Sequence, residues 1–180
     1  MRKVIVSNVA SLDGFFESPD QKLDFVVLDD EFFDYSKGML RAADTLLFGR
    51  ATYEHIASYW PHAPSDEIAD KMNNLPKIVF SRTLQRAAWN NSRLAKNNLQ
   101  EEVSNLKKQT GKDLVVLGSA TVASSLLKAG LVDEYRVILQ PVLLGRGNPL
   151  FKDITERIQL KLMSAKPFGS GVVLLSYQRA

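Results

Sequence analysis

The stretch DLVVLGSATVASSLLKAGLVDEYRV, residues 113–137, contains the clearest change of pattern in the chain. An apolar run predicts a buried strand that ends at Gly118, and an apolar pattern with helical spacing follows. Between the two lie only the small residues Ser119, Ala120 and Thr121. Small residues between a strand and a helix leave room for a ligand beside the backbone. Ser119 or Thr121 could instead serve only as the N-cap of the helix.

Strand and helix patterns alternate outward from this stretch through the first two-thirds of the chain. Strands are predicted at residues 3–10, 45–49, 76–83 and 113–118, helices at 29–44, 50–60, 97–111 and 121–130, and a weakly helical connector at 64–75. The last third is mainly strand, at residues 134–145, 158–168 and 171–179. Alternation predicts parallel pairing with crossover helices, and the glycine-containing turn before the last strand predicts an antiparallel hairpin. We therefore expect an α/β fold with a mostly parallel central sheet, in a single domain spanning residues 1–180.

Composition excludes several classes of function. The chain has 180 residues, of which 45% are hydrophobic, and no apolar run approaches the ~20 residues of a membrane span. It has no cysteine, which excludes disulfides, thiolate nucleophiles and Cys-ligated metals and fits a cytoplasmic location. His55 and His62 are too few for a metal site. The net charge of +3 is spread along the chain, so nucleic acid is not indicated as a partner.

Three predicted strands end in residues suited to anions. The turns at residues 50–52, 81–83 and 118–121 offer guanidinium groups, hydroxyls and bare backbone N–H groups. Ligands of such sheets lie beyond the carboxyl ends of the strands, and two of these turns lead directly into a predicted helix. Helix N-termini bind anions, and Arg50 and Arg82 can add charge-assisted hydrogen bonds. These turns therefore predict a phosphate-binding edge, with a pyrophosphate at Gly118.

Five segments together carry a family resemblance: residues 11–14 (SLDG), 46–54 (LLFGRATYE), 77–84 (KIVFSRTL), 116–135 (VLGSATVASSLLKAGLVDEY) and 141–151 (PVLLGRGNPLF). In this order they resemble the dihydrofolate reductase superfamily, and most closely the branch of the reductase domain of the riboflavin-pathway bifunctional deaminase-reductase. The resemblance covers nearly the whole chain. It implies a dihydrofolate reductase-like three-layer α/β/α fold and NADPH as the cofactor.

The resemblance also assigns residues to the site. It implies that the cofactor phosphates are bound by Gly49, Arg50 and Thr52, the adenosine and its 2′-phosphate by Ser81, Arg82 and Thr83, and the pyrophosphate and nicotinamide side by Gly118, Ser119, Ala120 and Thr121. It places Asp13 and Gly14 at the border of nicotinamide and substrate. Dihydrofolate reductases have Gly-Gly at this turn. This chain has Gly118-Ser119, and the nearer relatives that it resembles also have Gly-Ser.

The substrate end is where the chain departs from the family. Riboflavin-pathway reductases carry basic residues before their second strand for a ribose phosphate, but residues 29–44 here are acidic and aromatic, which disfavours a phosphorylated substrate. Dihydrofolate reductases place a buried carboxylate on this helix. Asp30, Glu31 and Asp34 are candidates for it, Asp13 is another proton source, and a solvated acidic first turn is the alternative. Phe25 either stacks on a flat substrate or packs in the core.

These features predict a cytoplasmic NADPH-dependent oxidoreductase that reduces a pterin-like or aminopyrimidine-like heterocycle, with catalytic Asp13 or Glu31. The alternative is an NADPH-binding or nucleotide-binding module without turnover. The strands of the last third carry many apolar residues, among them Leu143 and Leu174. One sheet face cannot bury all of them, so a homodimer through the C-terminal strands is also predicted.

Overall fold

The computed structural model describes residues 1–152 and 154–180. In chain order its elements are β1 (Val4–Ser11), β2 (Phe15–Glu17), α1 (Asp30–Ala42), β3 (Ala43–Gly49), α2 (Arg50–Tyr59), α3 (Glu67–Asn74), β4 (Lys77–Phe80), β5 (Ser92–Leu94), α4 (Leu99–Lys108), β6 (Asp113–Leu117), α5 (Ala120–Lys128), β7 (Glu134–Gln140), β8 (Asn148–Pro149), β9 (Leu160–Pro167) and β10 (Val173–Arg179). A turn of 3₁₀ helix, Trp60–His62, follows α2.

One mixed sheet of eight strands organises the structure, in the order β5-β4-β3-β6-β1-β7-β10-β9. The first six strands in this order pair in parallel. Strand β10 then pairs antiparallel with both β7 and β9. The predicted α/β fold with a mostly parallel sheet and an antiparallel C-terminal hairpin is therefore confirmed.

Helices cover the parallel part of the sheet on both faces. Alternation along β1 turns Val4 and Val6 towards the layer of α4 and α5, while Ile5 faces the layer of α1, α2 and α3. Both faces of this strand are buried, as expected of a central parallel strand. The resulting three layers match the predicted α/β/α arrangement. None of the helices in the described residues is long and apolar enough to cross a membrane.

Three short strands and one helix differ from the sequence-based expectation. Residues 67–74 of the predicted weakly helical connector form α3, which is capped by the Asp66 carboxylate and has Leu75 as its C-cap. Strand β5 extends the sheet beyond β4, and β2 pairs with β8 in a separate two-stranded ribbon. Short strands of two or three residues carry too little periodicity to be found in a sequence. The ribbon matters for function because it borders the candidate site.

Candidate functional site

A cleft of about 1160 Å³ lies at the carboxyl ends of the parallel strands. Its lining includes all of the predicted cofactor residues except Thr83: Gly49, Arg50, Thr52, Ser81, Arg82, Gly118, Ser119, Ala120 and Thr121. They meet because β3, β4 and β6 are neighbours in the sheet, so the turns that follow them share one edge. The structure thus brings together three turns that are about 30 to 70 residues apart in sequence.

Two reciprocal hydrogen bonds join the turns after β3 and β6. The backbone N–H of Gly49 donates to the Ser119 hydroxyl at 3.0 Å, and the backbone N–H of Ser119 donates to the Thr52 hydroxyl at 3.1 Å. We call these three residues the turn clamp. Ser119 is 5% exposed, and both bonds are partly buried. The clamp fixes the starts of α2 and α5 side by side.

Neither of these helices has a side-chain cap. Gly49 at the N-cap of α2 has no side chain to offer, and the Ser119 hydroxyl at the N-cap of α5 is directed to Gly49 instead of its own helix. The expected alternative role of Ser119 as a side-chain N-cap is therefore not what the structure shows. First-turn N–H groups without a cap bind water or an anion. Two such helix starts face the same cleft.

Gly118 is required by both conformation and space. Its φ is +60°, in the left-handed region that a side chain disfavours. A Cβ atom built there would lie 3.2 Å from Cγ2 of Thr52, tighter than ordinary contact. Ser119 next to it is also left-handed, with φ of 50°. Both residues line the cleft, and their own backbone N–H groups donate to the Ser7 carbonyl and the Thr52 hydroxyl.

The basic residues of the predicted phosphate edge differ in how firmly they are held. Nη1 of Arg50 donates to the Thr83 hydroxyl at 2.6 Å, and Nε pairs with Glu54 at 3.0 Å. Thr83 therefore positions Arg50 without lining the cleft itself. The Ser81 hydroxyl accepts the backbone N–H of Leu84 at 2.9 Å and so shapes its own turn. Arg82 is exposed and makes no salt bridge within the described residues.

Asp13 lies outside the lining of the cleft. One carboxylate oxygen accepts the Ser11 hydroxyl at 2.7 Å, and the other accepts the backbone N–H of Gly145 at 2.7 Å. The Ser11 hydroxyl, followed by the N–H groups of Gly145 and Leu144, lowers the pKa of the Asp13 carboxyl. Here Asp13 ties the loop after β1 to the turn after β7. Gly14, with φ of +88°, belongs to the same loop and does not line the cleft.

The acidic residues of α1 point away from the cleft. The Glu31 carboxylate accepts the backbone N–H of Gly169 at 2.7 Å, in the turn between β9 and β10. Asp34 is exposed and lies 3.5 Å from Lys37. Asp30 is exposed as well. The alternative expectation, a solvated acidic first turn, describes Asp30 and Asp34 better than a buried catalytic carboxylate does. Phe25 is half-buried and does not line the cleft either.

The inner face of α1 supplies residues that the sequence analysis missed. Phe32, Tyr35, Ser36, Met39 and Leu40 line the cleft. Their positions follow the 3, 4, 7, 8 spacing of one helix face, so hydrophobic periodicity could have found them. The Tyr35 hydroxyl lies 2.7 Å from the Ser7 hydroxyl of β1, which also lines the cleft.

Two further walls complete the cleft. On the α2–α3 side it is lined by His55, Ile56, Trp60, Ile68 and Met72. On the opposite side the β2–β8 ribbon and the segment after it contribute Phe16, Glu17, Asn148 and Lys152. The amide of Asn148 donates to the Glu17 carboxylate at 2.6 Å, which joins the two ribbon strands.

Known proteins resemble this chain in sequence and in fold. Residues 2–174 match the family model described as the RibD C-terminal domain. The chain is 36% identical to the uncharacterized protein YyaP of Bacillus subtilis, over 98% of this chain and 94% of that protein. A crystal structure of a putative riboflavin biosynthesis protein from Shewanella sp. PV-4 is similar, with a TM-score of 0.79, 22% identity and 99% of both chains covered. Dihydrofolate reductase from Enterococcus faecalis, solved with NADP(H), shares the fold with a TM-score of 0.68, 15% identity and coverage of 98% of this chain and 96% of that one.

Proposed function

The chain belongs to the RibD C-terminal domain family, and we propose that it is an NADPH-dependent reductase of a flat nitrogen heterocycle, pterin-like or aminopyrimidine-like. The observation that carries the proposal is the turn clamp. By bonding Gly49 to Ser119 and Ser119 to Thr52, it holds two uncapped helix starts against one cleft. Paired helix starts of this kind suit the pyrophosphate of a dinucleotide, because both contribute N–H donors and positive dipole ends.

The residues around the turn clamp fit the rest of such a cofactor. Backbone N–H groups at the starts of α2 and α5 would bind the pyrophosphate, and the space kept open by Gly118 lets it approach the backbone. Arg82 and the Ser81 hydroxyl would bind the 2′-phosphate, since both line the cleft after β4. Thr83 would hold Arg50 in place for the phosphates. When bound, NADPH supplies the hydride for reduction of the substrate.

Dinucleotide choice follows from these groups. A cofactor with a free 2′-hydroxyl is usually recognised by an acidic residue, whereas a 2′-phosphate needs basic and hydroxyl groups. The turn at residues 81–83 holds Ser81, Arg82 and Thr83 and no acid. We therefore expect NADPH to bind at least tenfold more tightly than NADH, a difference of about 1.4 kcal/mol.

Neither of the predicted carboxylates is well placed to supply the proton for the reaction. Proton donation by Asp13 or Glu31 stays a prediction. In this structure each carboxylate accepts a backbone N–H of another loop at 2.7 Å. The Ser11 hydroxyl and the N–H groups of Gly145 and Leu144 lower the pKa of Asp13, which favours its ionised form. Both residues also lie outside the cleft lining.

Titration of the protein with each dinucleotide tests the proposal. Protein fluorescence or calorimetry gives the dissociation constants for NADPH and NADH, and equal values would contradict the proposed 2′-phosphate site. Oxidation of NADPH is then followed at 340 nm with dihydropterins and with ribosylaminouracils as acceptors. Tight NADPH binding without oxidation by any of them would favour the alternative, a nucleotide-binding module without turnover.

We also propose that the chain forms a homodimer through the C-terminal strands. β9 is the edge of the sheet, and most of its residues are exposed. Leu162 and Met163 on this strand are 50% and 52% exposed, and Leu143 nearby in sequence to β7 is 69% exposed. An exposed edge strand with apolar side chains is suited to pairing with a second copy. Light scattering should give twice the chain mass of 20.1 kDa, and a monomer at micromolar concentration would disprove the dimer.

A further inference from the structure

Tyr35 and Ser7 form the polar centre of a wall that is mainly apolar. Their hydroxyl oxygens are 2.7 Å apart, one on α1 and one on β1, and both residues line the cleft. The Tyr35 hydroxyl also lies 3.6 Å from the Met39 sulfur. A thioether is a weak acceptor, so a ligand oxygen or nitrogen would displace it as the partner of the tyrosine proton. When Ser7 donates to Tyr35, that proton is free for a ligand.

The pair lies where the α1 wall meets the turn after β6. Ser7 is the β1 partner of Leu117, and its carbonyl accepts the backbone N–H of Gly118 at 3.4 Å. The Tyr35 hydroxyl therefore lies one strand away from the turn clamp. A molecule bound against α1 would contact Tyr35 on one side and, on the other, a ligand bound at the turn after β6.

Charge along this wall indicates what kind of molecule fits. Among the described residues, α1 and α3 contribute no lysine or arginine to the lining of the cleft. The cations that do line it are Arg50 and Arg82 on the phosphate edge and Lys152 beyond the β2–β8 ribbon, on the side that also holds Glu17. The nearby Arg136 does not line the cleft, and its Nε is paired with Glu134 at 2.7 Å. The Arg136 guanidinium reaches the Tyr35 hydroxyl, but its charge is paired with Glu134, so a phosphate against α1 would meet no unpaired cation among the described residues.

Burial keeps Tyr35 in the donor form. Burial raises the pKa of its hydroxyl, while the Ser7 hydroxyl and the Arg136 guanidinium lower it and only partly offset that rise. The hydroxyl is therefore un-ionised at physiological pH and retains its proton. Phe32 and Met39 beside it present apolar surface to a flat ring.

We propose that the α1 side of the cleft binds a neutral, unphosphorylated heterocycle, stacked beside Phe32 and hydrogen-bonded through its ring edge to Tyr35, which Ser7 holds in place. This deepens the proposed function, on which it rests for the nature of the neighbouring cofactor. Tyr35 sets specificity by contact with the substrate, and Ser7 is a positioning residue. The absence of a free cation on this wall, within the described residues, selects against phosphate esters.

The test uses a matched pair of fluorescent probes, 6-hydroxymethylpterin and its phosphate monoester. Each is titrated into the full chain, with and without saturating NADP⁺, and NADPH affinity and melting temperature are measured on the same preparations. The variants are Tyr35→Phe, which removes only the hydroxyl, and Ser7→Ala. Tyr135→Phe is the control, because Tyr135 is buried but lies outside the cleft.

We expect the neutral pterin to bind at least tenfold more tightly than its phosphate ester. Tyr35→Phe should weaken pterin binding about fivefold, the effect of one lost hydrogen bond, and Ser7→Ala should weaken it less. NADPH affinity should stay at the wild-type value in both variants. Tyr135→Phe should leave the affinities for pterin and for NADPH unchanged. Restoring the hydroxyl at position 7 with Ser7→Thr should recover part of the loss.

Three results would overturn the inference: an ester that binds as well as the pterin, a Tyr35→Phe protein that binds pterin like the wild type, or no pterin binding to the wild type at millimolar concentration. If pterin binds and depends on Tyr35 while NADPH does not bind, the proposed function fails and the Tyr35 contact stands. If NADPH binds and pterin does not, only the Tyr35 contact fails.

Discussion

The cleft has two walls that are built on different principles. The phosphate edge consists of turns, and its groups are mainly backbone N–H groups, held by the bonds among Gly49, Thr52 and Ser119. The α1 wall is one face of a helix and acts only through side chains such as Phe32 and Tyr35. The phosphate edge therefore depends on backbone conformation and small residues, whereas the α1 wall depends on which way the helix is rotated.

This difference explains why one wall was visible in the sequence and the other was not. Glycine and serine at a strand–helix junction restrict the local backbone wherever the junction lies in the fold. In α1 the acidic Glu31 and the aromatic Tyr35 lie on adjoining parts of the helix surface, so residue type alone did not say which of them enters the cleft. The carboxylate of Glu31 and the hydroxyl of Tyr35 are only four residues apart, yet only Tyr35 lines the cleft.

The largest effect is expected at Gly118. Gly118→Val adds a β-branched side chain at φ of +60°, against Thr52 at 3.2 Å, and fills the space predicted for a pyrophosphate. NADPH affinity should fall by well over tenfold, which is more than about 1.4 kcal/mol. Gly145→Val is the control, because Gly145 also has a positive φ, of +72°, but no atom within 4 Å. A Gly118→Val protein with a normal melting temperature and wild-type NADPH affinity would show that the phosphate edge does not bind the cofactor pyrophosphate.

The second-largest effect on cofactor binding is expected from Arg82, a side chain of the phosphate edge. Arg82→Ala should weaken NADPH about tenfold and leave NADH nearly unchanged, because only NADPH has a 2′-phosphate for the guanidinium. Arg86→Ala, an exposed arginine a few residues further on that does not line the cleft, is the matched control. If Arg82→Ala weakened the binding of NADPH and NADH equally, Arg82 would not be a ligand of the 2′-phosphate.

A smaller effect is expected from the turn clamp. Ser119→Ala keeps the space but leaves the partly buried Gly49 N–H without its acceptor, which should lower the free energy of unfolding by about 1 kcal/mol. NADPH affinity should fall tenfold or less, because the two helix starts lose one of the bonds that align them. Thr52→Val removes the other hydroxyl of the clamp, and a double-mutant cycle reports how strongly the two bonds are coupled. Additive losses would mean that the two bonds act independently and not as a clamp.

The smallest effect is expected on the outer face of α1. Glu31→Gln retains an oxygen that can accept the Gly169 N–H, and the residue does not line the cleft. NADPH affinity and pterin affinity should both stay within about twofold of wild type, and stability should change by less than about 0.5 kcal/mol. A loss of NADPH oxidation with unchanged binding of both ligands would instead support the predicted catalytic role of Glu31.

Most of the fold was accessible from local patterns. Continuous apolar runs at residues 4–6 and 114–117 predicted buried parallel strands, and the helices between them predicted the crossovers. The strands that were missed, β2, β5 and β8, are short, so their hydrogen bonds to neighbours determine them more than their own sequence does, and α3 was predicted only as a weakly helical connector. The β2–β8 ribbon forms only because residues 15–17 and 148–149 meet in space.

Local sequence was enough to predict the alternation of strands and helices and the small-residue turn at Gly118, because backbone sterics and hydrophobic periodicity act over a few residues. Contacts in the folded chain were needed to show that the Ser119 hydroxyl accepts the Gly49 N–H and does not cap its own helix, since that bond spans 70 residues. Tertiary structure also decided that Asp13 and Glu31 bind distant loops while Tyr35 lines the cleft. The rotation of a helix and the partner of a carboxylate depend on what packs against them, and those contacts come from distant parts of the chain.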